Sequence, residues 1–285
     1  MSVWLKNIFN PKRRSPMFDL QRLAHWAQGS WQGAGRVAIT GFTNDTRRLV
    51  PGQCFVALKS PTRDGHAFLE DARKAGASAA LVSEANPSVE LPQLVVADTL
   101  ESFQAIAREH RNQLNIPVVG ITGSCGKTST KDLLQILLGK NETLATQGNL
   151  NNTLGVPLTL ASINPQIHRH AVIEAGMNQV GEMDCLGWMI QPDLALVTNV
   201  VAAHGGYVGG LEGVAREKSV LPKQVSPNGL AIFPIECLRF DTFAELSCAC
   251  WVIQDSSQLQ TPKPAADVRV FDYRLERTFL EGWRL

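Results

Sequence analysis

The sequence has almost no excess of charge of either sign and no long apolar run. Its 27 Lys and Arg residues nearly balance its 26 Asp and Glu residues, which leaves a formal net charge of +1. Such a balance offers no electrostatic case for a protein that binds nucleic acid. No apolar segment approaches the roughly 20 residues that a membrane-spanning helix needs, so we expect no membrane span.

The N-terminal segment contains basic residues but lacks the apolar core of a secretory signal. The basic positions are Lys6, Lys12, Arg13 and Arg14, and the apolar residues near them are scattered. We interpret this segment as a solvated leader, and attachment to a membrane surface is the alternative.

The six cysteines form no disulfide or metal-binding framework in the sequence. Cys248 and Cys250 have one residue between them, which is the wrong spacing for a zinc knuckle, and no cluster of Cys and His completes it. Unpaired cysteines are typical of a reducing compartment, so we expect a cytoplasmic protein. Cys125 lies in a glycine-containing turn, where either a helix N-terminus activates its thiol or a small residue simply fits.

The chain is long enough for two domains and contains no internal repeat or low-complexity tract. At 285 residues, 44% hydrophobic and 19% charged, it has the composition of a globular protein. Short apolar runs alternate with helical patterns, which predicts an α/β fold with a mostly parallel sheet covered by helices on both faces. We expect a small N-terminal α/β domain over residues 1–115 and a phosphate-loop domain over 116–285.

The hydrophobic pattern predicts the elements of both domains. In the first domain we expect helices over 17–27, 64–75 and 99–113, the last capped by Thr99, and strands over 37–40, 53–58, 77–82 and 94–96. In the second domain we expect strands over 117–121, 171–173, 194–197, 230–233 and 251–253, a helix over 211–221, another near Phe243, and a terminal hairpin of 268–273 and 278–283.

Residues 117–131 combine an apolar run, a glycine-containing turn and a helical pattern, with Leu133, Leu134, Leu137 and Leu138 predicted on one helix face. This construction places backbone N–H groups and a positive helix end around a phosphate. Lys127 would reach the terminal phosphates, and the Thr128 hydroxyl would ligate Mg²⁺. Gly123 and Gly126 have two residues between them where the usual phosphate loop has four, so a tight turn with a solvated lysine is the alternative.

Two further polar groups follow predicted strands of the same sheet. Glu174 ends the apolar run 171–173, and the segment from Asn199 to His204 follows the run 194–197. Because the carboxyl ends of parallel strands meet at one edge, these groups are expected near the Lys127 turn. A carboxylate there suits Mg²⁺. The alternatives are a solvated strand end and an ordinary surface histidine, and Lys218 lies on a predicted helix where most lysines face solvent.

Taken together, the motifs resemble those of the Mur ligases. Asn-Asp-Thr-Arg at 44–47, with residues 51–58 and 64–66, is similar to the uridine-binding domain of that family. Thr-Gly-Ser-Cys-Gly-Lys-Thr at 122–128 is similar to its shortened phosphate loop. Asn-Leu-Asn-Asn-Thr-Leu-Gly-Val-Pro at 149–157 is similar to the Asn-rich signature of its dipeptide-adding members. Residues 173–176, 181–182, 198–199 and 203–204 resemble its central ATPase domain, so order and spacing agree from about 37 to 233.

The resemblance implies a carboxylate–amine ligase that uses ATP and Mg²⁺ in building peptidoglycan precursors. ATP would phosphorylate a substrate carboxylate, and an amino acid or dipeptide amine would displace phosphate from the acyl phosphate. The acid would be a UDP-N-acetylmuramoyl peptide or a related carboxylate. The implied catalytic residues are Lys127, Glu174, His204 and Lys218. One Mg²⁺ would be held by Thr128 and Glu174, and a second by His204 and a carbamylated Lys218.

The resemblance also assigns residues to the two substrates. ATP would be bound by Gly123, Ser124, Cys125, Gly126, Lys127, Thr128, Ser129 and Asn199. The UDP-linked substrate would be bound by Asp45, Thr46, Arg47, Asn149, Asn151, Asn152 and Thr153.

Three departures from the family pattern leave two classes of function open. Ser60 stands where the family usually has Gly, Asp45-Thr46-Arg47 replaces Asp-Ser-Arg, and Pro234-Ile235-Glu236 replaces a nucleotide-holding Asn-Asp pair. We also expect the family's C-terminal domain to be absent. In the first class the chain is a ligase whose missing domain comes from a second protein or another copy of itself, or a reduced ligase that acts on a different acid. In the second class it is a regulator or partner subunit that binds ATP or a UDP-sugar without ligating.

Overall fold

The chain folds into two compact units, Met1–Gln113 with Leu160–Asn164, and Leu114–Thr159 with Pro165–Leu285. The computed structural model describes residues 17–33, 37–202, 209–255, 268–273, 276–278 and 282–284. Among these described residues, no helix combines the length and the apolar character that crossing a bilayer requires.

The first unit is built on a mixed sheet of five strands among the residues described there, in the order β1-β7-β6-β3-β2. Its helices are α1 (Leu20–Ala27), α2 (Leu69–Lys74) and α3 (Thr99–Asn112). The strands are β1 (Ser30–Gln32), β2 (Phe42–Thr43), β3 (Cys54–Val56), β6 (Ala79–Val82) and β7 (Gln93–Val95), with a separate small hairpin of β4 (Lys59–Ser60) and β5 (Arg63–Asp64). Phe55, Leu69 and Val82 lie in the buried cluster between sheet and helix.

Two expectations for this unit need correction, and one strand was not predicted. The predicted strand over 37–40 is an isolated bridge between Ile39 and Phe18, and the strand starts later, at Phe42. The predicted helix over 64–75 begins as a 3₁₀ turn, Gly65–Phe68, because the Asp64 carboxylate accepts the His66 N–H in a tight local turn. β1, which the pattern did not predict, pairs antiparallel with β7.

The start of α3 also differs from the prediction. The N-cap is Asp98, not Thr99, and its Oδ1 accepts the N–H groups of Leu100 and Glu101 at 2.8 Å each. Both residue types are good caps, and Asp98 is the one with extended backbone, which the N-cap position requires. Thr99 is instead buried in the first turn.

The second unit contains a sheet that, within the described residues, has seven strands in the order β14-β13-β12-β11-β8-β10-β9, all parallel. These strands are β8 (Val118–Thr122), β9 (Thr143–Ala145), β10 (His170–Glu174), β11 (Leu194–Val197), β12 (Leu230–Pro234), β13 (Ala249–Asp255) and β14 (Val268–Tyr273). The helices are α4 (Lys127–Leu137), α5 (Gly155–Leu160), α6 (Glu182–Ile190), α7 (Gly210–Lys223) and α8 (Asp241–Ala244).

The central strands of this sheet are buried. Four of the five residues of β8 and four of the five of β10 are buried, as strands covered by helices on both faces require. On one face, Leu134 and Leu138 pack against Ile121, Ala145 and Val172. The structure therefore confirms the expected α/β fold with a parallel sheet flanked by helices.

Two predictions for the second unit were wrong in part. The leucines of α4 do not share one buried face, because Leu134 and Leu138 pack on the sheet while Leu133 and Leu137 are 61% and 78% exposed. Residues 268–273 do not form the expected terminal hairpin, since they extend the main sheet beside β13. The hairpin is made by β15 (Glu276–Thr278) and β16 (Gly282–Arg284).

The cap of α3 can be tested directly. Asp98→Ala should speed hydrogen exchange of the Leu100 and Glu101 amides, because losing an N-cap acceptor costs about 1 kcal/mol. Asp98→Asn keeps an acceptor and is the matched control. Exchange that is unchanged in Asp98→Ala, or equally fast in both variants, would show that the cap does not hold this helix end.

Candidate active site

The turn between β8 and α4 has a backbone that glycine alone fits easily. Gly123 has φ +145° and Gly126 has φ +81°, and a Cβ on Gly123 would collide with the Thr198 hydroxyl. Gly126 is the N-cap of α4 and provides no side-chain cap, so the first N–H groups of the helix point outward. Ser129 is exposed in this first turn. A helix start of this kind attracts anions, phosphate in particular.

The turn is hydrogen-bonded to the end of the neighbouring strand β11. Asn199 Oδ1 accepts the N–H groups of Ser124 and Cys125 at 3.0 Å each, and Asn199 Nδ2 contacts Cys125 Sγ at 2.9 Å. The Thr198 hydroxyl donates to the Cys125 carbonyl at 2.6 Å. Two of the turn's N–H groups are therefore already used, which leaves those at the start of α4 as donors for a phosphate.

Lys127 places a positive charge at the same turn. Its Nζ donates to the Gly123 carbonyl at 2.9 Å, and the residue is half-buried. The ammonium is therefore held back over the turn instead of extending into solvent. An anion at the helix start would meet both this charge and the helix N–H groups.

The Thr128 hydroxyl and the Glu174 carboxylate are in contact. Thr128 Oγ1 donates to Glu174 Oε2 at 3.0 Å, and Asn151 Nδ2 donates to Glu174 Oε1 at 2.8 Å. Glu174 is only 2% exposed, and both of these partners are neutral. A buried carboxylate is costly unless a cation compensates it. Hard oxygen donors on a buried anion are the groups that Mg²⁺ prefers, and Thr128 and Glu174 are the residues here that could hold it.

The side chains of the Asn-rich loop, residues 149–153, make different kinds of contact. Asn151 orients Glu174, and its carbonyl accepts the Gly176 N–H at 2.8 Å. Asn152 Oδ1 accepts the N–H groups of Leu154 and Gly155, so it caps the start of α5. Asn149 is exposed and Thr153 is half-buried in the same loop.

Lys218 lies on α7 with its residue 5% exposed. Burial and, to a smaller extent, the charge of Lys127 lower the pKa of its amine, Glu217 and Cys125 oppose them, and the resulting pKa is about 8. His204, the other expected ligand of a second Mg²⁺, lies outside the described residues. Within the described part of the chain, no three His, Cys, Asp or Glu side chains converge as a metal site.

Two acidic side chains hold the loop before α6, and the sequence singled out only one of them. Glu217 is 6% exposed and its Oε1 accepts the Gly181 N–H at 2.9 Å. Glu182 Oε2 accepts the N–H groups of Asn178 and Gln179. Gly181-Glu182 was visible as part of a motif, whereas Glu217 is one acidic residue on a helix and gives no such signal.

A pocket of about 330 Å³ lies above the carboxyl ends of β11, β12 and β13. It adjoins the phosphate turn through Thr198 and Thr130, and its apolar wall includes Phe233. Pro234 and Glu236, which replace the family's Asn-Asp pair, also line it, so this departure falls on a cavity next to the turn.

The three candidate residues of the first unit form a local cluster. Asp45 caps a 3₁₀ turn, Thr46–Arg48, and Arg47 donates to its carboxylate from Nε at 2.9 Å and from Nη2 at 2.8 Å. The Arg47 hydrogen bond lowers the pKa of the Asp45 carboxyl to about 2. Thr46 is half-buried in the same turn. In this structure the charges of Asp45 and Arg47 satisfy each other.

Comparison with known proteins identifies the family of this chain. A model described as the Mur ligase middle domain matches residues 121–261. UDP-N-acetylmuramoyl-tripeptide–D-alanyl-D-alanine ligase of Escherichia coli (strain K12) is 42% identical over 214 residues, 75% of this chain and 47% of that relative. The chain belongs to the Mur ligase family. It spans about half the length of the curated relatives that it matches.

Solved structures of Mur ligases agree with this assignment. A crystal structure of MurF from Acinetobacter baumannii has a TM-score of 0.73 at 33% identity and covers 83% of this chain and 54% of that one. The MurF ligase of Thermotoga maritima, solved in complex with ADP, has a TM-score of 0.65 at 27% identity and covers 76% of this chain and 50% of that one.

The hydrogen bonds from Asn199 give the first prediction for the Mur-type site. Asn199→Ala should weaken ADP binding about tenfold, or about 1.4 kcal/mol, because the turn would have to be ordered when the nucleotide binds. Calorimetric titration of the full chain measures this. Lys140→Ala, at an exposed position beyond the other end of α4, is the control and should bind within about twofold of the wild type. Unchanged or tighter binding by Asn199→Ala would contradict the role given to it.

Lys218 gives a pH-dependent prediction. Below pH 8 the wild-type protein carries a buried ammonium, so Lys218→Met should be more stable, by up to about 3 kcal/mol at 1.36 kcal/mol per pKa unit. Between about pH 8 and 10.5 the unfolded chain binds a proton that the folded chain does not, so wild-type stability rises and the advantage of the variant shrinks.

Urea unfolding at pH 7, 8, 9 and 10 in carbonate-free buffer measures this advantage. Lys140→Met, at an exposed position, is the control and should keep the pH dependence of the wild type. An advantage of Lys218→Met that is constant or grows with pH would contradict the assigned burial cost.

Proposed function

We propose that this chain binds ATP and Mg²⁺ and takes part in ATP-dependent ligation of a carboxylate to an amine, as a Mur-type enzyme of peptidoglycan precursor synthesis. The Thr128–Glu174 contact, beside Lys127 at the start of α4, is the observation that carries the proposal. A hydroxyl, a buried carboxylate and an ammonium meet there at the carboxyl edge of a parallel sheet, where ligands of such sheets bind. The names of the relatives support the same chemistry.

In the proposed reaction the γ-phosphoryl group of ATP passes to a substrate carboxylate. The bond from this phosphorus to the β–γ bridging oxygen breaks, ADP leaves, and the carboxylate oxygen becomes part of an acyl phosphate. A neutral amine then attacks the acyl carbon, the bond from this carbon to the phosphate oxygen breaks, phosphate leaves, and the nitrogen releases one proton to solvent as the amide forms. Lys127 and the first N–H groups of α4 stabilise the charge on the transferring phosphoryl group.

Thr128 and Glu174 would hold Mg²⁺, which neutralises charge on the phosphates. Asn151 would keep the Glu174 carboxylate turned towards Thr128. Lys218 would add to carbon dioxide with loss of one proton, which converts a buried amine into an anionic metal ligand. His204 would complete that second site.

We further propose that the acid is a UDP-N-acetylmuramoyl peptide and the amine an amino acid or dipeptide. The E. coli relative carries UDP-N-acetylmuramoyl-tripeptide and D-alanyl-D-alanine in its name. Asp45, Thr46 and Arg47 would contact the uridine side of the acid, and Asn149 and Thr153 would lie near its phosphates or carboxylate. The pocket beside Thr198 would receive the base of ATP.

Phosphate release tests the proposal. With Mg²⁺, bicarbonate, a UDP-muramoyl peptide and D-alanyl-D-alanine, the full chain should release phosphate only when the acid is present. Lys127→Ala should lower this rate about 100-fold, since removing a preorganised charge from a reacting group has effects of that order. Lys140→Ala, beyond the other end of α4, is the matched control.

Equal release by Lys127→Ala and the wild type would refute the proposal. Binding of ATP without any acid-dependent release would instead identify a nucleotide-binding protein that does not ligate.

A further inference from the structure

Lys131 is the buried side chain of α4. It is 5% exposed, whereas its apolar neighbour Leu133 is 61% exposed on the same helix. Burying an ammonium costs several kcal/mol unless its partners compensate it. Helix α4 therefore gives its most buried position to a charge.

The Lys131 ammonium bridges α4 to the loop after β9. Its Nζ donates to the Thr146 carbonyl at 2.9 Å and lies 3.0 Å from Asp132 Oδ1. The Asp132 side chain is 59% exposed, so water screens this ion pair, whereas Thr146 is 1% exposed. The hydrogen bond to Thr146 is the contact that lies inside the protein.

Thr146 in turn holds the backbone of Glu174. The Thr146 hydroxyl accepts the Glu174 N–H at 2.9 Å, and the Thr146 N–H donates to the Val172 carbonyl at 3.0 Å. The carbonyl and the hydroxyl of Thr146 thus accept hydrogen bonds from different partners. The carbonyl meets Lys131, and the hydroxyl meets the strand end that carries Glu174.

These contacts close a ring. Thr128 and Lys131 are three residues apart on α4, a spacing that places them on one side of a helix. Thr128 contacts the Glu174 carboxylate, the Glu174 N–H contacts Thr146, and Thr146 contacts Lys131. Both ends of the Thr128–Glu174 contact are therefore fixed, one by the helix and the other by the loop after β9.

We infer that Lys131 is a positioning residue that sets the spacing of Thr128 and Glu174 for a divalent cation bound with a nucleotide. This inference rests on the proposed function, because the two oxygen donors are the proposed Mg²⁺ ligands. A site organised before binding loses less free energy to ordering its ligands, so the effect of Lys131 falls on the metal-dependent part of nucleotide affinity.

Calorimetric titration of the full chain with AMP-PNP, in MgCl₂ and in EDTA, separates these parts. For the wild type, Mg²⁺ should tighten binding. Lys131→Met should lose about tenfold of that Mg²⁺-dependent gain and bind within about twofold of the wild type in EDTA. Lys223→Met removes a lysine whose Nζ lies 3.0 Å from Glu245 Oε2 in the same unit, and as control it should change neither affinity.

Thr146→Val tests the same Mg²⁺-dependent gain in affinity independently, because it removes the acceptor of the Glu174 N–H and keeps the side-chain shape. It should lower the Mg²⁺-dependent gain. The double variant Lys131→Met with Thr146→Val should lose less than the product of the two single fold-losses, because the two residues act through the same chain of contacts. If Lys131→Met does not fold, as judged by circular dichroism, Thr146→Val alone carries the test.

Three results would overturn the inference. An unchanged Mg²⁺-dependent gain in both variants would remove Lys131 and Thr146 from the metal site. Equal losses in MgCl₂ and in EDTA would assign them a merely structural role. A wild type that binds AMP-PNP no better with Mg²⁺ would refute the proposed metal site itself, which separates failure of the proposed function from failure of this inference.

Discussion

The hydrogen bonds from the end of β11 to the phosphate turn are the constraint on which the rest of the site depends. β11 pairs with β8 so that Val197 lies opposite Thr122, and the next residues of both strands are therefore side by side. Asn199 can then accept the N–H groups of Ser124 and Cys125. The turn takes its shape from a strand more than 70 residues away, as the sequence separation of these bonds shows. The geometry of the phosphate turn therefore depends on the pairing of β11 with β8.

The order of strands supplies the other half of the site. β8 lies between β11 and β10, so the turn after β8 meets Asn199 on one side and the first turn of α4 meets Glu174 on the other. Each neighbour contributes a different chemistry, an amide that shapes the backbone and a carboxylate that offers metal-binding oxygens. Without the polar end of β11 the turn would lose the acceptor that shapes it, and without the polar end of β10 it would lose the carboxylate.

Sequence patterns predicted the class of fold, helix α4 and the bounds of β11, because buried parallel strands are short apolar runs and helices have a clear period. They did not predict which stripe of α4 is buried. Leu133 and Leu134 are about 100° apart on a helix, so both stripes are apolar and the sheet decides between them. The partner of residues 268–273 was also beyond a local pattern, since their pairing with β13 is a contact between segments. The motif predicted that Asn151 lies in a binding site, whereas its hydrogen bond to Glu174 could be seen only in the structure.

The separation of the two buried charges explains how the site can hold a buried anion and still leave it available. Lys131 and Glu174 are both buried, and an ion pair between them would neutralise the carboxylate and reduce its attraction for a cation. Instead, Thr146 stands between them, with its carbonyl on the ammonium and its hydroxyl on the Glu174 backbone. The carboxylate oxygens meet the neutral groups of Thr128 and Asn151. A carboxylate that is to bind a divalent ion must be held in place without being neutralised by a neighbouring charge. A threonine at this position in the loop after β9 meets that need, because a basic side chain would pair with the carboxylate and an acidic one would compete with it for the cation.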